Sequence, residues 1–400
     1  MKRSDVGIVM PVYNQVPKYL RMAIKSILKQ QSYTNFRLVI VLDGADEQTK
    51  NIVYNRTRAD KRVHIIDNKV NQGVAHSLNV GFDYLCQLPN IQYLTWVSSD
   101  NIYYPRFVER LRQGLINSSV DIGLVYSYFY FMDENDKILH DCSNDSKMVQ
   151  SLGKHRPLDK EEVLDLIPVG PSFMYRKRDA MLVGKYRRRM LEDYDYWLRM
   201  SEVTGIRCIP IPLMAYRRNT EHSVSRSISS LHGHRRWRNV KQYVIREARE
   251  RRNISTELTI IYVAEGRRNV LSEVENLLEG IYTNFTIWIV SDRQGEVKEK
   301  LKLIPDPRIK ILPYRGPHVE RVYQELLKEV NTPFTLIYSQ GLKVHGFDIY
   351  FLMKRLKGEK VPLIRSIKRT QRLKKLLDQN LTLINSLNHT SKLREDMLKS

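Results

Sequence analysis

A single aspartate, Asp100, stands where an apolar run of the sequence ends and a polar segment begins. The run Ile91–Val97 has the composition of a buried strand, and Pro105 opens an amphipathic helix with apolar residues spaced by four. A carboxylate at the carboxyl end of a strand can hold a hard divalent cation, which in turn binds a diphosphate. The alternative interpretation is an Asp-Asn turn that leads into the next helix. On this segment alone the turn is favoured, because one carboxylate is few ligands for a metal.

Two further polar segments follow predicted strands in the same way. Tyr13 and Asn14 come after the strand Val6–Val12, and Asp43 and its neighbours come after the strand Phe36–Leu42. Helical stretches separate these strands, and a further strand is predicted at residues 63–66. Alternating strands and helices indicate βαβ units and a parallel sheet, whose ligands bind beyond the carboxyl ends of the strands. The sequence therefore places its ligand candidates at one sheet edge.

The chain then repeats itself at an offset of 249 residues. The segment Ser32–Asp43 has an echo at Ile281–Asp292, and both contain the sequence Tyr-Thr-Asn-Phe. Predicted strands recur around the echo in the same order, at residues 258–263, 308–312 and 333–338. This order indicates a second, diverged copy of the first fold. In that copy Gln340 stands opposite Asp100, so we expect it to bind no nucleotide sugar and to serve in packing, dimerisation or acceptor recognition.

The chain has a net charge of +22 and a pI of about 9.7, and most of its excess positive charge lies in two stretches. Residues 226–252 hold nine Lys or Arg against two Glu, and residues 351–400 hold thirteen against four Asp or Glu. Such segments are attracted to anionic lipid surfaces by roughly 1 kcal/mol per cation, and the alternative is a pair of solvated helix faces. Specific nucleic-acid binding is disfavoured, because no helix-turn-helix, zinc-finger or RNA-recognition motif is present.

Cysteine usage and hydropathy favour a reducing compartment. The three cysteines, Cys86, Cys142 and Cys208, are too widely spaced for a disulfide framework or a Cys-x-x-Cys metal site. The apolar run near the start ends at Val12 and is too short for a secretory signal, and no run of 18 apolar residues is present. We therefore expect a cytoplasmic protein.

Six motifs in the first 226 residues resemble those of the family 2 glycosyltransferases, which use nucleotide sugars and have the GT-A fold. They are Val9-Met10-Pro11-Val12-Tyr13-Asn14, Leu42-Asp43-Gly44-Ala45-Asp46, the stretch from Asn71 through Gly73 to Asn79, Ser99-Asp100, Glu192-Asp193-Tyr194-Asp195, and the stretch from Tyr216 to Ser225. The loop Asp100-Asn101-Ile102-Tyr103 is similar to that of the spore-coat and surface-polysaccharide members. The resemblance implies an α/β fold with a mostly parallel, Rossmann-like sheet.

The resemblance also implies a role for each matched residue. The donor nucleotide and diphosphate would be bound by Pro11, Tyr13, Asn14, Asp43, Asn71, Gly73, Asn79, Ser99 and Asp100. Tyr13 is able to stack on a pyrimidine, and Asp43 is able to accept from its ring N–H. Asp100 would hold Mn²⁺ or Mg²⁺, with His222 as a further ligand. Asp193 would be the catalytic base. Glu192 and Asp195 flank it, and repulsion between neighbouring carboxylates raises the pKa of one of them. A helix N-cap is the alternative role of Asp193, and the two roles are compatible.

The sequence departs from the family pattern at four places. Ser99 replaces a second carboxylate, Leu42 replaces the first Asp of a pair, His76-Ser77 replaces Ala-Arg, and Asn219 replaces a His. The resemblance thus implies an enzyme with a lean metal loop. The same departures suit a catalytically weak protein that binds nucleotide sugar or glycan and acts as an assembly partner.

These observations predict four segments and a function. We expect a GT-A catalytic domain at residues 1–225, a basic helical linker at 226–255, a smaller degenerate α/β repeat at 256–350 and a basic helical tail at 351–400. The expected function is metal-dependent, inverting transfer of a sugar from a UDP- or dTDP-sugar to an acceptor hydroxyl, in bacterial surface or spore polysaccharide synthesis. Expected partners are the nucleotide-sugar donor, a glycan or glycolipid acceptor, an anionic surface on the inner face of the membrane, and a second copy in a homodimer.

Overall fold

The computed structural model describes residues 4–142, 161–165, 167–187, 190–218, 228–264, 270–313, 319–338 and 348–357. The chain divides into two compact units, Met1–His234 and Arg235–Ser400. The predicted metal ligand His222, the loop at Gln340 and most of the basic tail lie outside the described residues. None of the described helices is long and apolar enough to cross a membrane.

The first unit is a mixed α/β structure around one sheet. Its strands are β1 (Val6–Val12), β2 (Phe36–Asp43), β3 (Val63–Asn68), β4 (Tyr93–Trp96), β5 (Ile102–Tyr103), β6 (Ile122–Met132), β7 (Ile138–Asp141), β8 (Phe173–Arg176) and β9 (Gly205–Arg217). Its helices are α1 (Pro17–Leu28), α2 (Glu47–Thr57), α3 (Val74–Gln87), α4 (Phe107–Ile116), α5 (Glu162–Asp165), α6 (Lys177–Val183) and α7 (Glu192–Val203). The strand order is β3-β2-β1-β4-β8-β6-β9-β5, with β7 paired to β6.

The half of the sheet that contains β1 to β4 is parallel, as the alternating pattern predicts. Strands β1 and β2 are buried on both faces, and the apolar faces of α1 and α4 pack against them in one core. On the opposite face α3 comes close through Gly81, whose position leaves no room for a Cβ beside Val9. The expected α/β class with a Rossmann-like first half is confirmed.

The other half of the sheet carries the long strands β6 and β9, which are parallel to each other, while β8 is antiparallel to β4 and β6. Helix α7 packs on this half through Trp197, whose ring meets Phe173 of β8 edge-on at 4.4 Å. The antiparallel strand β8 therefore connects the parallel half to the helix that begins at Glu192.

The second unit is built on a sheet of its own. The chain enters it through α8 (Leu231–Arg251), which spans the division between the units. Its strands are β10 (Leu258–Ala264), β11 (Phe285–Ser291), β12 (Ile309–Leu312) and β13 (Phe334–Tyr338), and its other helices are α9 (Val270–Leu278), α10 (Gln294–Leu301), α11 (Val319–Glu329) and α12 (Asp348–Leu356). All described pairings are parallel, in the order β12-β11-β10-β13.

The second sheet repeats the order and register of β3-β2-β1-β4. Val6 pairs with Phe36 in the first unit, and Leu258 pairs with Phe285 in the second. The phenylalanine of the shared Tyr-Thr-Asn-Phe sequence therefore has the same register position in both sheets. The predicted smaller α/β repeat is therefore present. The predicted linker 226–255 consists largely of α8, most of which belongs to the second unit.

One side-chain motif has been kept in both copies. Arg62 donates to Asp60 through Nε at 2.9 Å and Nη2 at 2.7 Å. In the second unit Arg308 donates to Asp306 through the same two atoms, each at 2.8 Å. In each case the guanidinium also donates to the carbonyl of the last residue of the helix before the second strand, Leu28 of α1 or Leu278 of α9, and it lies over the ring of the shared phenylalanine. This Asp-x-Arg clamp holds the amino ends of the strands together in both copies.

Candidate active site

The carboxyl ends of β1, β2 and β4 meet at one edge of the first sheet. Val12 pairs with Leu42 across β1 and β2, and Val9 pairs with Trp96 across β1 and β4. The segments that follow these strands start beside one another for this reason. The structure thus brings the three predicted polar segments to a single edge, where ligands of parallel α/β sheets bind.

Asp43, the last residue of β2, holds the segment that follows β3. Its carboxylate accepts from the backbone N–H of Gln72 at 3.1 and 3.2 Å and from that of Gly73 at 2.8 Å. The residue is only 3% exposed. A carboxylate has about four acceptor positions, so these contacts leave it capacity for one further donor.

Gly44 allows the two segments to come this close. Its φ of +68° is in the left-handed region, and a Cβ would lie 2.4 Å from the backbone nitrogen of Asn71. Only glycine fits such a position without displacement of the neighbouring backbone. Gly73 has a φ of +90°, but a Cβ there would meet nothing within 4 Å. Gly44 is therefore required by space and by φ, and Gly73 by φ alone.

The segment after β1 links the other two. The side-chain oxygen of Asn14 accepts from the backbone N–H of Asp46 at 2.8 Å. The side-chain amide of Gln15 donates to the hydroxyl of Ser99 at 3.2 Å. Asn14 and Ser99 thus connect the segments at this edge, and the half-buried Pro11 precedes Val12, the last residue of β1. The ring of Tyr13 is 49% exposed, so one of its faces is available for stacking.

The side chains of Asn71 and Asn79 both form hydrogen bonds within the protein. Asn71 accepts from the N–H of Gly73 at 3.0 Å. The Asn79 amide donates to the carbonyl of Tyr186 and accepts from its N–H, each at 2.8 Å. The Tyr186 ring stacks on Tyr196 of α7 at 4.0 Å. Asn79 therefore anchors α3 to the helix that carries Asp193, and direct contact of Asn79 with a donor stays a prediction.

Asp100 lies in a tight segment between β4 and β5. Burial raises the pKa of its carboxyl to about 6. The segment is fixed by Arg217, the last residue of β9, which donates through Nε to the carbonyl of Asp100 and through its N–H to the side chain of Asn101, both at 3.0 Å. The Asp100 carboxylate is not engaged by these bonds.

Arg217 is a structural residue that the sequence reasoning did not single out. Its side chain is fully buried, forms an ion pair of 2.6 Å with Asp136 and lies 3.9 Å over the ring of Tyr19. It therefore joins the turn after β6 to the Asp100 segment. The available signal was an Arg at the end of a strand, within the motif that begins at Tyr216.

The described residues offer a divalent cation few side chains. They contain no group of three His, Cys, Asp or Glu that could hold a metal. Asp100 fits as one ligand, because burial desolvates its carboxyl and, among the described residues, no cationic side chain donates a hydrogen bond to it, although the charge of Arg217 partly offsets the rise in its pKa. The remaining ligands would then come from bound phosphate oxygens and water.

Two adjacent carboxylates, Glu192 and Asp193, begin α7. Burial raises the pKa of Asp193, and burial together with the charge of Asp193 raises the pKa of Glu192 to about 8. Leu191 is the N-cap residue, so the predicted alternative of an N-cap at Asp193 is wrong: Asp193 lies inside the first turn. The φ of Leu191 is +68°, a strained value for a residue with a Cβ.

Asp195, the third carboxylate of this segment, is engaged internally. It is fully buried, accepts from Arg199 at 2.9 and 3.1 Å and lies 3.4 Å from Arg187. Asp195 therefore holds the helix in place, whereas Glu192 and Asp193 retain a high proton affinity. A carboxylate with a raised pKa is suited to accept a proton near neutral pH.

Part of the chain is similar in sequence to known proteins. Residues 7–183 match the family model described as glycosyl transferase family 2. An uncharacterized glycosyltransferase of Methanocaldococcus jannaschii is 29% identical over 202 residues, which cover 50% of this chain and 65% of that protein. Glycosyltransferase GlyG of Streptococcus pneumoniae is 30% identical over 131 residues, which cover 33% and 41% of the two chains. This chain thus spans less than two thirds of the length of both relatives.

Two solved structures resemble this one. The S. aureus protein TarS, residues 1–349, in complex with UDP-GlcNAc is 15% identical, with a TM-score of 0.46 over 60% of this chain and 66% of that one. The mannosyltransferase PcManGT from Pyrobaculum calidifontis, in complex with GDP-Man and Mn²⁺, is 11% identical, with a TM-score of 0.43 over 62% and 74%.

Proposed function

We propose that this chain, whose residues 7–183 match the family model of glycosyl transferase family 2, transfers a sugar from a UDP- or dTDP-sugar to an acceptor hydroxyl. The observation that carries the proposal is the edge of the first sheet. There an exposed aromatic ring, Tyr13, follows β1, a fixed carboxylate, Asp43, ends β2, and the desolvated carboxyl of Asp100 follows β4.

The donor would bind by its base and its diphosphate. The open face of Tyr13 suits a pyrimidine ring, and the remaining acceptor position of Asp43 suits the ring N–H of uracil or thymine. Gly73 leaves open space beside its backbone, which permits the close approach of a ribose or phosphate. The nucleotide thus has contacts on three sides, all from loops at one sheet edge.

The transfer would be a single displacement with inversion. Asp193 takes the proton of the acceptor hydroxyl as that oxygen forms a bond to the anomeric carbon, and the bond from that carbon to the diphosphate breaks. The electron pair of the broken bond leaves with the nucleoside diphosphate. One base is sufficient for this step, and Asp193 has the desolvated carboxylate that it needs.

A divalent metal completes the proposal. Mn²⁺ or Mg²⁺ would be held by Asp100 and, in the part of the chain that the structure does not describe, by His222. When bound, the ion supplies positive charge to the departing diphosphate. Asp100 alone is a lean donor set, which favours a second candidate, a protein that binds the nucleotide sugar and turns it over slowly.

Thermal unfolding with nucleotides tests the binding site without knowledge of the acceptor. UDP at a hundred times its Kd stabilises a native protein by about 2.7 kcal/mol. We expect UDP with Mn²⁺ to raise the Tm, ADP to raise it less, and Tyr13→Ala to reduce the UDP effect. The absence of any UDP-dependent shift would contradict the proposed donor site. UDP release from a panel of UDP- and dTDP-sugars then separates the enzyme from the slow binding protein.

The expected product and location extend this proposal. A bacterial envelope glycan or glycolipid would be the acceptor, and the basic tail at 351–400 would hold the protein against an anionic membrane. Within α8, however, Arg235 and Arg238 bind Glu275, and Arg238 is 2% exposed, so part of this predicted surface charge is used inside the second unit. Flotation with anionic and neutral vesicles, with and without the tail, tests the membrane contact.

A further inference from the structure

A cavity of about 600 Å³ lies in the second unit, at the amino ends of its strands. Its walls are the carboxyl-terminal half of α8, the residues that precede β10 and β13, and the first residues of β11 and β12. The donor edge of the first unit lies at the opposite, carboxyl ends of the equivalent strands. The cavity is therefore not a copy of the proposed donor site. Its volume is within the range of sites for small molecules.

The first unit fills the equivalent place with side chains. His64 of β3 stacks on Tyr84 of α3 at 4.1 Å, and Arg37 of β2 donates to the Tyr84 hydroxyl at 3.1 Å. The registers of the two sheets place Lys310 where the first has His64 and Thr286 where it has Arg37. Replacement of a large side chain by Thr286 helps to open this space in the second unit.

Cationic side chains surround the opening. Arg246 is exposed, Lys310 lies 5.8 Å over the ring of Trp288, and Arg249 reaches the carbonyl and the hydroxyl of Thr283. Glu250, 3.5 Å from Arg246, is the one carboxylate in the cavity wall. Lys310 forms no ion pair with a residue that the structure describes. The cavity therefore has a net positive charge that an anion would neutralise.

The wall between these cations is polar. Gln242 is 4% exposed and lines the cavity. Its side-chain amide can donate to and accept from a ligand in the cavity. Ser255, Thr256 and Asn331 add hydroxyl and amide groups to the same wall. Such groups bind a hydroxyl-rich ligand by hydrogen bonds.

From this combination we propose that the cavity binds an anionic saccharide, that is, a sugar unit that carries a phosphate or a carboxylate. The cations at the opening bind the anionic group, and the Gln242 amide and the neighbouring hydroxyls bond to the sugar. The binding site does not depend on the transferase proposal. Its use, to hold an acceptor chain, rests on the proposed function.

Calorimetry and saturation-transfer NMR on the full chain test this site with four probes: glucose 6-phosphate, glucuronate, glucose and inorganic phosphate. We expect the two anionic sugars to bind, each at least tenfold more tightly than glucose or phosphate, and the preferred one identifies the anionic group. The double variant Arg246→Glu/Lys310→Glu is expected to weaken that binding at least tenfold. The control is Lys300→Glu/Lys302→Glu, an equal change in charge on exposed lysines of α10 and its end in the same unit.

Three results would overturn the proposal: no binding of either anionic sugar, equal binding of phosphate alone, or equal losses in the cavity variant and the control. Gln242→Leu separates the sugar contact from the charge, because it is expected to weaken both anionic sugars and to leave phosphate unchanged. UDP binding and UDP release are measured separately and do not depend on these outcomes. Failure of the saccharide-site proposal is thereby distinguished from failure of the transferase proposal.

Discussion

Replacement of Asp193 by Asn is expected to slow sugar transfer without loss of the fold or of donor binding. The amide cannot take the acceptor proton, and a positioned general base is worth about 10²- to 10⁴-fold in rate. Burial raises the pKa of Asp193, so its ionised form disfavours the folded state at neutral pH. The Tm of the Asp193→Asn variant should therefore equal or exceed that of the parent protein.

The size of the rate loss depends on Glu192. Its pKa of about 8 is due to burial and to the negative charge of Asp193. When Asp193 becomes neutral, the repulsion disappears, Glu192 loses its proton more readily, and it is able to act as a substitute base. We therefore expect a loss near 10²-fold for Asp193→Asn and near 10⁴-fold for the double variant Glu192→Gln/Asp193→Asn, the two ends of the usual range.

Asp195→Asn is the matched control on the same helix. Asp195 is fully buried and binds Arg199, so the substitution leaves a buried cation without its carboxylate. Breaking such a pair costs about 3–5 kcal/mol, which lowers the Tm by at least roughly 6 °C. The expected phenotype is lost stability, in contrast to the lost rate of the Asp193 variant.

The assay is UDP release with the best donor and acceptor, in parallel with thermal unfolding in UDP. An Asp193→Asn protein with an unchanged rate would refute the assignment of the base, and a further unchanged rate in the double variant would exclude both carboxylates. A stable Asp195→Asn protein with the larger rate loss would show instead that Asp195 takes part in the chemistry.

Three further predictions concern the first unit. Gly44→Ala should lower the free energy of unfolding in urea by about 2–3 kcal/mol through strain and a backbone clash, and Gly73→Ala by about 1 kcal/mol through strain alone; equal losses would contradict the clash. Asp100→Ala should abolish the Mn²⁺-dependent part of the UDP-induced Tm shift, and a persistent Mn²⁺ effect would remove Asp100 from the metal site. Because the pKa of Glu192 is raised to about 8, its protonated form stabilises the fold at low pH, and this contribution falls as the pH rises from about 4.5 to about 8. Between pH 5 and 9 the Tm of the Glu192→Gln variant should therefore decrease less than that of the parent protein. An equal decrease of Tm in both proteins would contradict the raised pKa of Glu192.

Much of the first half of the fold could be predicted from the sequence, because its strands are apolar runs that end in polar residues. Asp43 and Asp100 were placed correctly at one edge by the βαβ rule alone. The second copy was also visible, because its Tyr-Thr-Asn-Phe echo lies where the register later puts it. These features depend on local patterns that a sequence displays directly.

The remaining features depend on contacts between distant segments. Arg217 lies more than 110 residues from Asp100. Nothing in the sequence indicates that the Arg217 side chain bonds to the Asp100 carbonyl, because that contact depends on the pairing of β9 with β5. The internal use of Asp195 had a local signal, the four-residue spacing to Arg199, but that spacing alone does not show burial. The anchoring of Asn79 to Tyr186 likewise requires the packing of α3 beside α7.

The clamp of Asp60 and Arg62, kept as Asp306 and Arg308, is a contact that both copies of the domain share although their sequences have diverged. The buried Asp43 has an exposed counterpart in Asp292, while the clamp at the other end of the strands is retained atom for atom. The shared contact therefore lies at the amino ends of the strands, and the aspartates that differ in burial lie at their carboxyl ends. Exchange of the loops at the carboxyl ends of the strands in either copy would therefore leave this clamp in place.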